Sequence, residues 1–214
     1  MDYKNPIFNA NGTIDMDIDH PVHGVIPSTL YKRSTGAEPT MNTLNEAMTQ
    51  LIDPTEGGDV DDPHDRGGRT SRGVTQATYD AYRQQSGAKT RDVFDMANSE
   101  RLAIYHTGYW IKVHARELPT ALGVFAFDAA VQHGPNVAIR LLQRAVGSPD
   151  DGYWGPNTKA AASAADQFAL VRFMAVRLRF YADIPGDRYD DGWMNRCAAA
   201  GDVAANLAME AGNV

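Results

Sequence analysis

From Met41 onward, apolar residues recur mostly at helical spacing. Leu44, Met48, Leu51 and Ile52 stand at i, i+4, i+7 and i+8, which is one face of a helix. Asn42 or Thr43 is the expected cap, and Glu46 lies three residues after Thr43 as a capping box requires. Pro54 lacks the N–H that would continue the ladder, so it disturbs the end of this helix. Glu56 then falls on or just past the last turn, where the chain leaves through Gly57 and Gly58. The pattern predicts further helices at about 77–86 and at 98–110, where Leu102, Tyr105 and Tyr109 share a face. Another is expected over 119–133, with Pro119 at the first helical position and Gly134 as the stop, and one over 136–146 closed by Gly147. Pro156 can open a short helix. Residues 168–181 carry a broad apolar face in Leu170, Val171, Met174, Leu178 and Tyr181, and an alanine-rich helix runs over about 193–209.

Two stretches break this rhythm. Residues 1–40 carry Pro6, Pro21, Pro27 and Pro39 with Gly12, Gly24 and Gly36, and Asp15, Asp17 and Asp19 alternate there with Ile14, Met16 and Ile18. That reads as an extended arm with one short strand, not a second globular domain. Residues 57–75 are rich in Gly, Asp, Pro and Thr, the composition of a loop and a short β-ribbon. The expected fold class is therefore mainly α, with one short β-ribbon after the first helix. The expected division is an arm over 1–40, a core over 41–146 and a helical region over 147–214 packed on that core.

Composition narrows the function classes. The 214 residues are 43% hydrophobic and 22% charged, an ordinary globular balance long enough for one well-buried domain with an appendage. The formal net charge of −7 argues against a nucleic-acid partner, which would call for a basic stripe. No run approaches the length a membrane span needs. The opening residues show no basic segment followed by an apolar run, so no signal peptide is expected. Cys197 is the single cysteine; it sits among alanines with no histidine after position 133, and it reads as a small core residue.

The chemistry concentrates in the acidic ribbon. Glycosidic cleavage needs a carboxylic acid to protonate the leaving oxygen, and often a second carboxylate to activate water or attack. Glu56, at a helix end facing a glycine-rich loop, suits the first role. Asp61, Asp62 and Asp65 follow on a ribbon that can fold one of them opposite it, and Thr70 and Ser71 offer hydroxyls to orient water. Asp59, Asp61 and Asp65 mimic the first positions of a calcium loop, but His64 replaces its glycine and Thr70 its closing glutamate. His64, His106, His114 and His133 show no zinc spacing. No metal or cofactor is expected.

The run 56–75 reads E-G-G-D-V-D-D-P-H-D-R-G-G-R-T-S-R-G-V-T. It resembles the signature of the glycoside hydrolase family 108 muramidases, E-G-G-x-x-x-D-P-x-D-x-G-G-x-T-x-x-G-[IV]-T, with every fixed position filled. Ala103-Ile104-Tyr105 with Tyr109-Trp110, Phe127 to Val131 with His133-Gly134-Pro135, Leu142 to Ala145, and Arg177 to Tyr181 agree with the family in order. Asp151 to Thr158 is similar to the D-G-x-x-G-x-x-T loop of peptidoglycan-binding modules. The sequence departs from the family at Asp59, where an aromatic residue is frequent, and at Ser71 and Gln132, where asparagine is common.

The resemblance implies a lysozyme-like helical fold and an N-acetylmuramidase that uses Glu56 as acid. Asp65, with Asp62 as second choice, would activate water or stabilise oxocarbenium charge, and Thr70 would position the water. Asp62, Ser71, Tyr109, Trp110, Asp128 and His133 are the candidates for contacting substrate. The partner would be the peptidoglycan glycan strand, with no nucleic acid and no membrane insertion. A lytic transglycosylase, and a non-catalytic wall-binding or structural phage tail protein, are the alternatives. The arm, through Tyr3 to Pro6, Asn11 to Asp15 and Asp19 to Val22, looks like the opening of small phage tail-associated proteins. That implies phage tail partners through residues 1–40. It also implies location in the virion, or in the host cytoplasm before holin-mediated release to the wall.

Overall fold

The computed structural model describes residues 40–61, 68–184 and 190–211, so the arm expected over 1–40 lies outside it except for Thr40. The chain forms two compact units. The first contains Glu56–Tyr105, and the second contains the helix ending at Thr55 together with residues from His106 onward.

In the second unit, α1 (Met41–Ala47) continues through a π-helical stretch (Met48–Ile52) into a last turn, α2 (Asp53–Thr55). Its cap is Thr40 instead of Asn42 or Thr43: the Thr43 N–H donates to Thr40 Oγ1 at 3.3 Å, and the Thr40 N–H donates back to Thr43 Oγ1 at 3.0 Å. A threonine hydroxyl thus closes the box that an acidic side chain was expected to close. The wide turn lies just ahead of Pro54, where the Asp53 N–H reaches back five residues to the Met48 carbonyl. Pro54 has no N–H to give, and Thr55 Oγ1 donates to the Leu51 carbonyl at 2.8 Å in partial replacement.

Helix α5 (Thr120–His133) is the axis of this unit. Residues Val124 to Ala130 are all fully buried, as a helix apolar on every side must be. Around it pack α6 (Pro135–Val146), α8 (Ala169–Ala182) and α9 (Asp190–Glu210), with α7 (Pro156–Ser163) against α6. The buried face of α9 is small, comprising Cys197, Ala200, Ala204 and Ala208 beside Leu207. At Gly201 a Cβ would stand 2.6 Å from Met174 Cε, so the end of the Met174 side chain on α8 occupies the space that a side chain at this position of α9 would need. The loop before α7 is held by Gln143, which donates to Asp151 Oδ1 at 2.8 Å and Thr158 Oγ1 at 2.9 Å and accepts from the Gly152 N–H at 2.9 Å.

The first unit is a three-stranded antiparallel ribbon followed by two helices. Strand β1 (Asp59–Val60) pairs with β2 (Thr70–Ser71), and β2 pairs with β3 (Val74–Thr75), in the register Asp59↔Ser71, Val60↔Thr70, Thr70↔Thr75 and Ser71↔Val74. Thr75 ends β3 and caps α3 (Gln76–Gln85), accepting from the Thr78 N–H at 3.2 Å. Glu100 on α4 (Asn98–Tyr105) ties the unit together. It accepts from Tyr79 Oη at 2.7 Å, from Arg83 Nη1 at 2.6 Å, from the Ala97 N–H at 3.0 Å and from Arg91. Burial alone would raise this carboxyl, but those donors outweigh it and hold it below the usual carboxylate range. Among the described residues no helix is long and apolar enough to cross a membrane.

Candidate active site

Glu56 follows the last turn of α2 and is half-buried. Its side chain lies against the turn joining β2 to β3. A Cβ built on Gly73 would stand 2.9 Å from Glu56 Oε2 and 3.0 Å from Glu56 Cβ, and it would also collide with Tyr105 Oη. The carboxyl of Glu56 and the phenol of Tyr105 therefore converge over one bare glycine.

The sequence builds this close approach in two ways. Arg72 and Gly73 both have positive φ, +47° and +81°, the signature of a two-residue turn whose twist suits an antiparallel hairpin. The strained, non-glycine half of that turn is anchored from three sides. The Arg72 N–H donates to the Gly58 carbonyl at 3.2 Å, its guanidinium donates to the Met96 carbonyl at 2.6 Å and to Asn98 Oδ1, and its own carbonyl accepts from Arg101 Nε at 3.0 Å. Tyr105 Oη donates to the same carbonyl at 3.4 Å. Arg101 and Tyr105 stand one turn apart on α4, both almost wholly buried, with the guanidinium 5.1 Å over the phenol ring.

This turn presents β2 beside the acid. Thr70 is half-buried and its hydroxyl donates to the Gly68 carbonyl at 3.1 Å. Ser71 is 1% exposed, opposite Asp59 on β1, which is exposed. Asp62 and Asp65 lie outside the described residues. Downstream, Arg69 bridges Asp92 at 2.9 Å and Asp61 at 3.6 Å and sits 4.2 Å over the Phe94 ring, fastening the returning strand of the loop.

The remaining candidates belong to the second unit. Tyr109 and Trp110 lie on a π-helical stretch (His106–Trp110); Tyr109 is half-buried, and Trp110 is wholly buried with its ring edge-on to Phe127 at 5.4 Å. Asp128 is also wholly buried, paired with Arg177 at 2.6 Å and Arg196 at 3.0 Å. Arg177 further donates to Gln132 Oε1 at 2.6 Å and to Tyr181 Oη at 2.7 Å, and Tyr181 donates to Gln132 Oε1 at 2.8 Å. His133 ends α5, half-buried, with Nε2 3.3 Å from Tyr181 Oη. Sequence reasoning missed Gly73 and Tyr105 as the neighbours of Glu56. The available signal was an x-Gly pair between two short β-type runs, the pattern of a two-residue hairpin. Among the described residues no three His, Cys, Asp or Glu side chains group as metal ligands would.

Two outcomes follow directly. Gly73→Ala forces a methyl group between Glu56 and Tyr105 at a φ that L-residues avoid. We expect it to cut the initial rate about 100-fold, because a displacement of about 1 Å at a reacting group has that effect. The check is steady-state kinetics alongside circular dichroism to confirm folding.

The second outcome concerns acid. Burial pushes His133 down to about 4, assisted by Arg177, and burial pushes His106 to about 4. Both stay neutral when folded, whereas in the unfolded chain they charge near 6.5. The unfolded state therefore binds more protons between about 6.5 and about 4. Stability is full above that window and falls as the pH drops through it. Thermal midpoints measured from pH 7.5 to 4.5 should decline, and His133→Gln and His106→Gln should each flatten the slope.

Comparison with known proteins agrees with this geometry. The glycosyl hydrolase 108 family model matches residues 49–134, a segment that holds Glu56, the ribbon and α5. A solved structure of SagA from Brucella abortus superposes with a TM-score of 0.67 at 29% sequence identity, over 79% of this chain and 97% of that one. No curated protein matches. The segment 49–134, with its half-buried glutamate set against a hairpin turn, matches the glycosyl hydrolase 108 family model, and the chain is a lysozyme-like glycoside hydrolase of peptidoglycan.

Proposed function

We propose that this enzyme cleaves the β-1,4 bond from N-acetylmuramic acid to N-acetylglucosamine, with Glu56 as the general acid. The observation that carries this reading is the seating of Glu56. Its carboxyl rests on the bare backbone of Gly73 beside a buried phenol, half-exposed at the first residue of the family signature. In the reaction the Glu56 carboxyl gives its proton to the glycosidic oxygen as the C1–O bond breaks. Water then adds at C1 and loses a proton to the second carboxylate. Asp65 fills that second role, with Asp62 as the alternative; Thr70, on the strand leading into the same turn, positions the water. Ser71 and Tyr109 contribute to substrate contact. Asp128 and His133 act on the substrate side only through the helix they organise.

Residues 147–214 form a wall-binding region whose loop from Asp151 to Thr158 is stiffened by Gln143. The resemblance of residues 1–40 to small tail proteins supports a phage origin and delivery with the virion or through a holin-made lesion.

Mass spectrometry of digested sacculi tests the reaction. Products ending in reducing N-acetylmuramic acid support hydrolysis at this bond. Reducing N-acetylglucosamine ends would mean the other linkage, and 1,6-anhydro ends would mean transglycosylation. Absence of any lysis of outer-membrane-permeabilised cells, with retained pelleting on peptidoglycan, would overturn catalysis in favour of wall binding.

A further inference from the structure

We infer that Tyr153 is the contact residue of a second saccharide site, a ring held ready to stack on a sugar of the glycan strand. The inference deepens the reading of residues 147–214 as a wall-binding region and rests on it.

The loop beneath this ring is fastened along its length by one face of α6. Asn136, Arg140, Gln143 and Arg144 stand at i, i+4, i+7 and i+8, and all four reach it. Asn136 Nδ2 donates to the Gly152 carbonyl at 3.2 Å, Arg140 Nη2 to the Asp151 carbonyl at 3.2 Å, and Arg144 Nε to Asp150 Oδ2 at 2.6 Å. Gly152, at a φ of +80°, lets the backbone lie on that face, since a Cβ there would stand 2.5 Å from Asn136 Nδ2. Tyr153 is held at both ends of its own backbone. Its N–H donates to Asp151 Oδ1 at 2.9 Å, and its carbonyl accepts from Gln143 Nε2 at 3.0 Å. On the following residue, Trp154, the ring is stacked on His114, with centroids 4.9 Å apart and planes 10° from parallel.

The side chain that this frame carries is 75% exposed, the most exposed of the large hydrophobic residues described. It adds little to the core, so the fastening does not serve its burial. A ring on a backbone already fixed loses little further freedom on binding, which is the low ordering cost that suits an aromatic contact. The patch is too small for a protein partner. No other large apolar side chain between Asp150 and Ser163 is exposed, whereas a stable protein interface buries about 1,200–2,000 Å² in total. One ring does suffice for one pyranose, whose apolar C–H face lies flat on an aromatic while its hydroxyls stay at the rim. The same stretch and the helix beneath it expose polar side chains that can meet those hydroxyls, Arg140, Asp151 and Asn157. The ligand class is therefore the glycan of peptidoglycan, the polymer this hydrolase acts on. A second hold on a polymer raises the local concentration of bonds to be cleaved without any new contact at Glu56.

The test uses the full chain carrying Glu56→Gln, which binds the wall without consuming it. It is pelleted on purified sacculi and on glycan strands freed of their stem peptides by an amidase. Adding Tyr153→Ala should weaken both isotherms about 10-fold, and Tyr153→Trp in its place should keep them near the parent. Thermal midpoints should stay within about a degree of the parent, because the side chain is exposed. Isotherms unchanged by Tyr153→Ala, or weakened as much by Tyr153→Trp, overturn the inference. Binding that disappears with the stem peptides overturns it too, by making the peptide the ligand. A Glu56→Gln parent that does not pellet at all sinks the wall-binding reading and this inference with it, whereas equal pelleting with and without the ring sinks only the role of Tyr153.

Discussion

Glu56→Gln should lose activity on peptidoglycan by about 10³-fold or more while folding normally. An amide of the same size keeps the contacts with Gly73 and the hairpin turn, so the packing observed around the side chain survives. What it lacks is a proton to give. Loss of a positioned general acid costs about 10² to 10⁴ in rate, and the leaving sugar hydroxyl is a poor leaving group without protonation. A half-exposed side chain at the end of a helix contributes little to the core, so the thermal midpoint should move by only a degree or two. The measurement is turbidity loss of permeabilised cells together with release of reducing ends from sacculi. Activity above a tenth of the parent, with normal folding, would remove Glu56 from the mechanism.

The largest stability effect is expected at Asp128. This carboxylate lies on the central helix with no exposed surface, and it answers two guanidiniums from different helices, Arg177 on α8 and Arg196 on α9. Asp128→Ala leaves the wholly buried Arg177 cation without its counter-charge. Breaking one side of a buried pair costs about 3–5 kcal/mol, more than the pair contributes over a well-packed apolar replacement. Arg177 has little slack to absorb the loss. Its Nη1 already lacks a hydrogen-bond partner among the described residues, while Nε and Nη2 are committed to Tyr181 and Gln132. Tyr181 does not take up the charge either, because burial pushes its phenol up to about 12 and keeps it protonated. Urea denaturation should show the loss directly. The double variant Asp128→Leu with Arg177→Met should be less destabilised than Asp128→Ala, since it removes both of the wholly buried charges and leaves only Arg196, whose side chain is 13% exposed. A cost below about 1 kcal/mol for Asp128→Ala would show that the pair is not the lock between α5, α8 and α9.

Much of this was legible from the residues. The helices over 98–110, 119–133 and 136–146 follow apolar spacing punctuated by proline at the start and glycine at the end, signals carried within a few neighbouring residues. The glycine- and aspartate-rich stretch after Glu56 marks a ribbon for the same local reason. The cap of the first helix was placed two or three residues late, because the threonine that serves there is one of several hydroxyls in a row and only backbone geometry chooses among them. The role of Asp128 was open to misreading. An aspartate in an otherwise apolar helix looks like a residue waiting for substrate, and nothing nearby in sequence announces that arginines 49 and 68 positions later come to meet it.

The chain by itself determined the run of helices, the ribbon and the place of Glu56 at its head, because helix periodicity, turn residues and the sequence signature are short-range properties. Tertiary structure decided which groups surround that acid. Tyr105 is 49 residues from Glu56 in sequence and Gly73 is 17, and they converge only because a positive-φ turn is clamped to the start of α4. Tertiary structure likewise decided that Asp128 and Trp110 are inside. Burial is a property of what packs against a residue from elsewhere in the chain, and no local pattern encodes it.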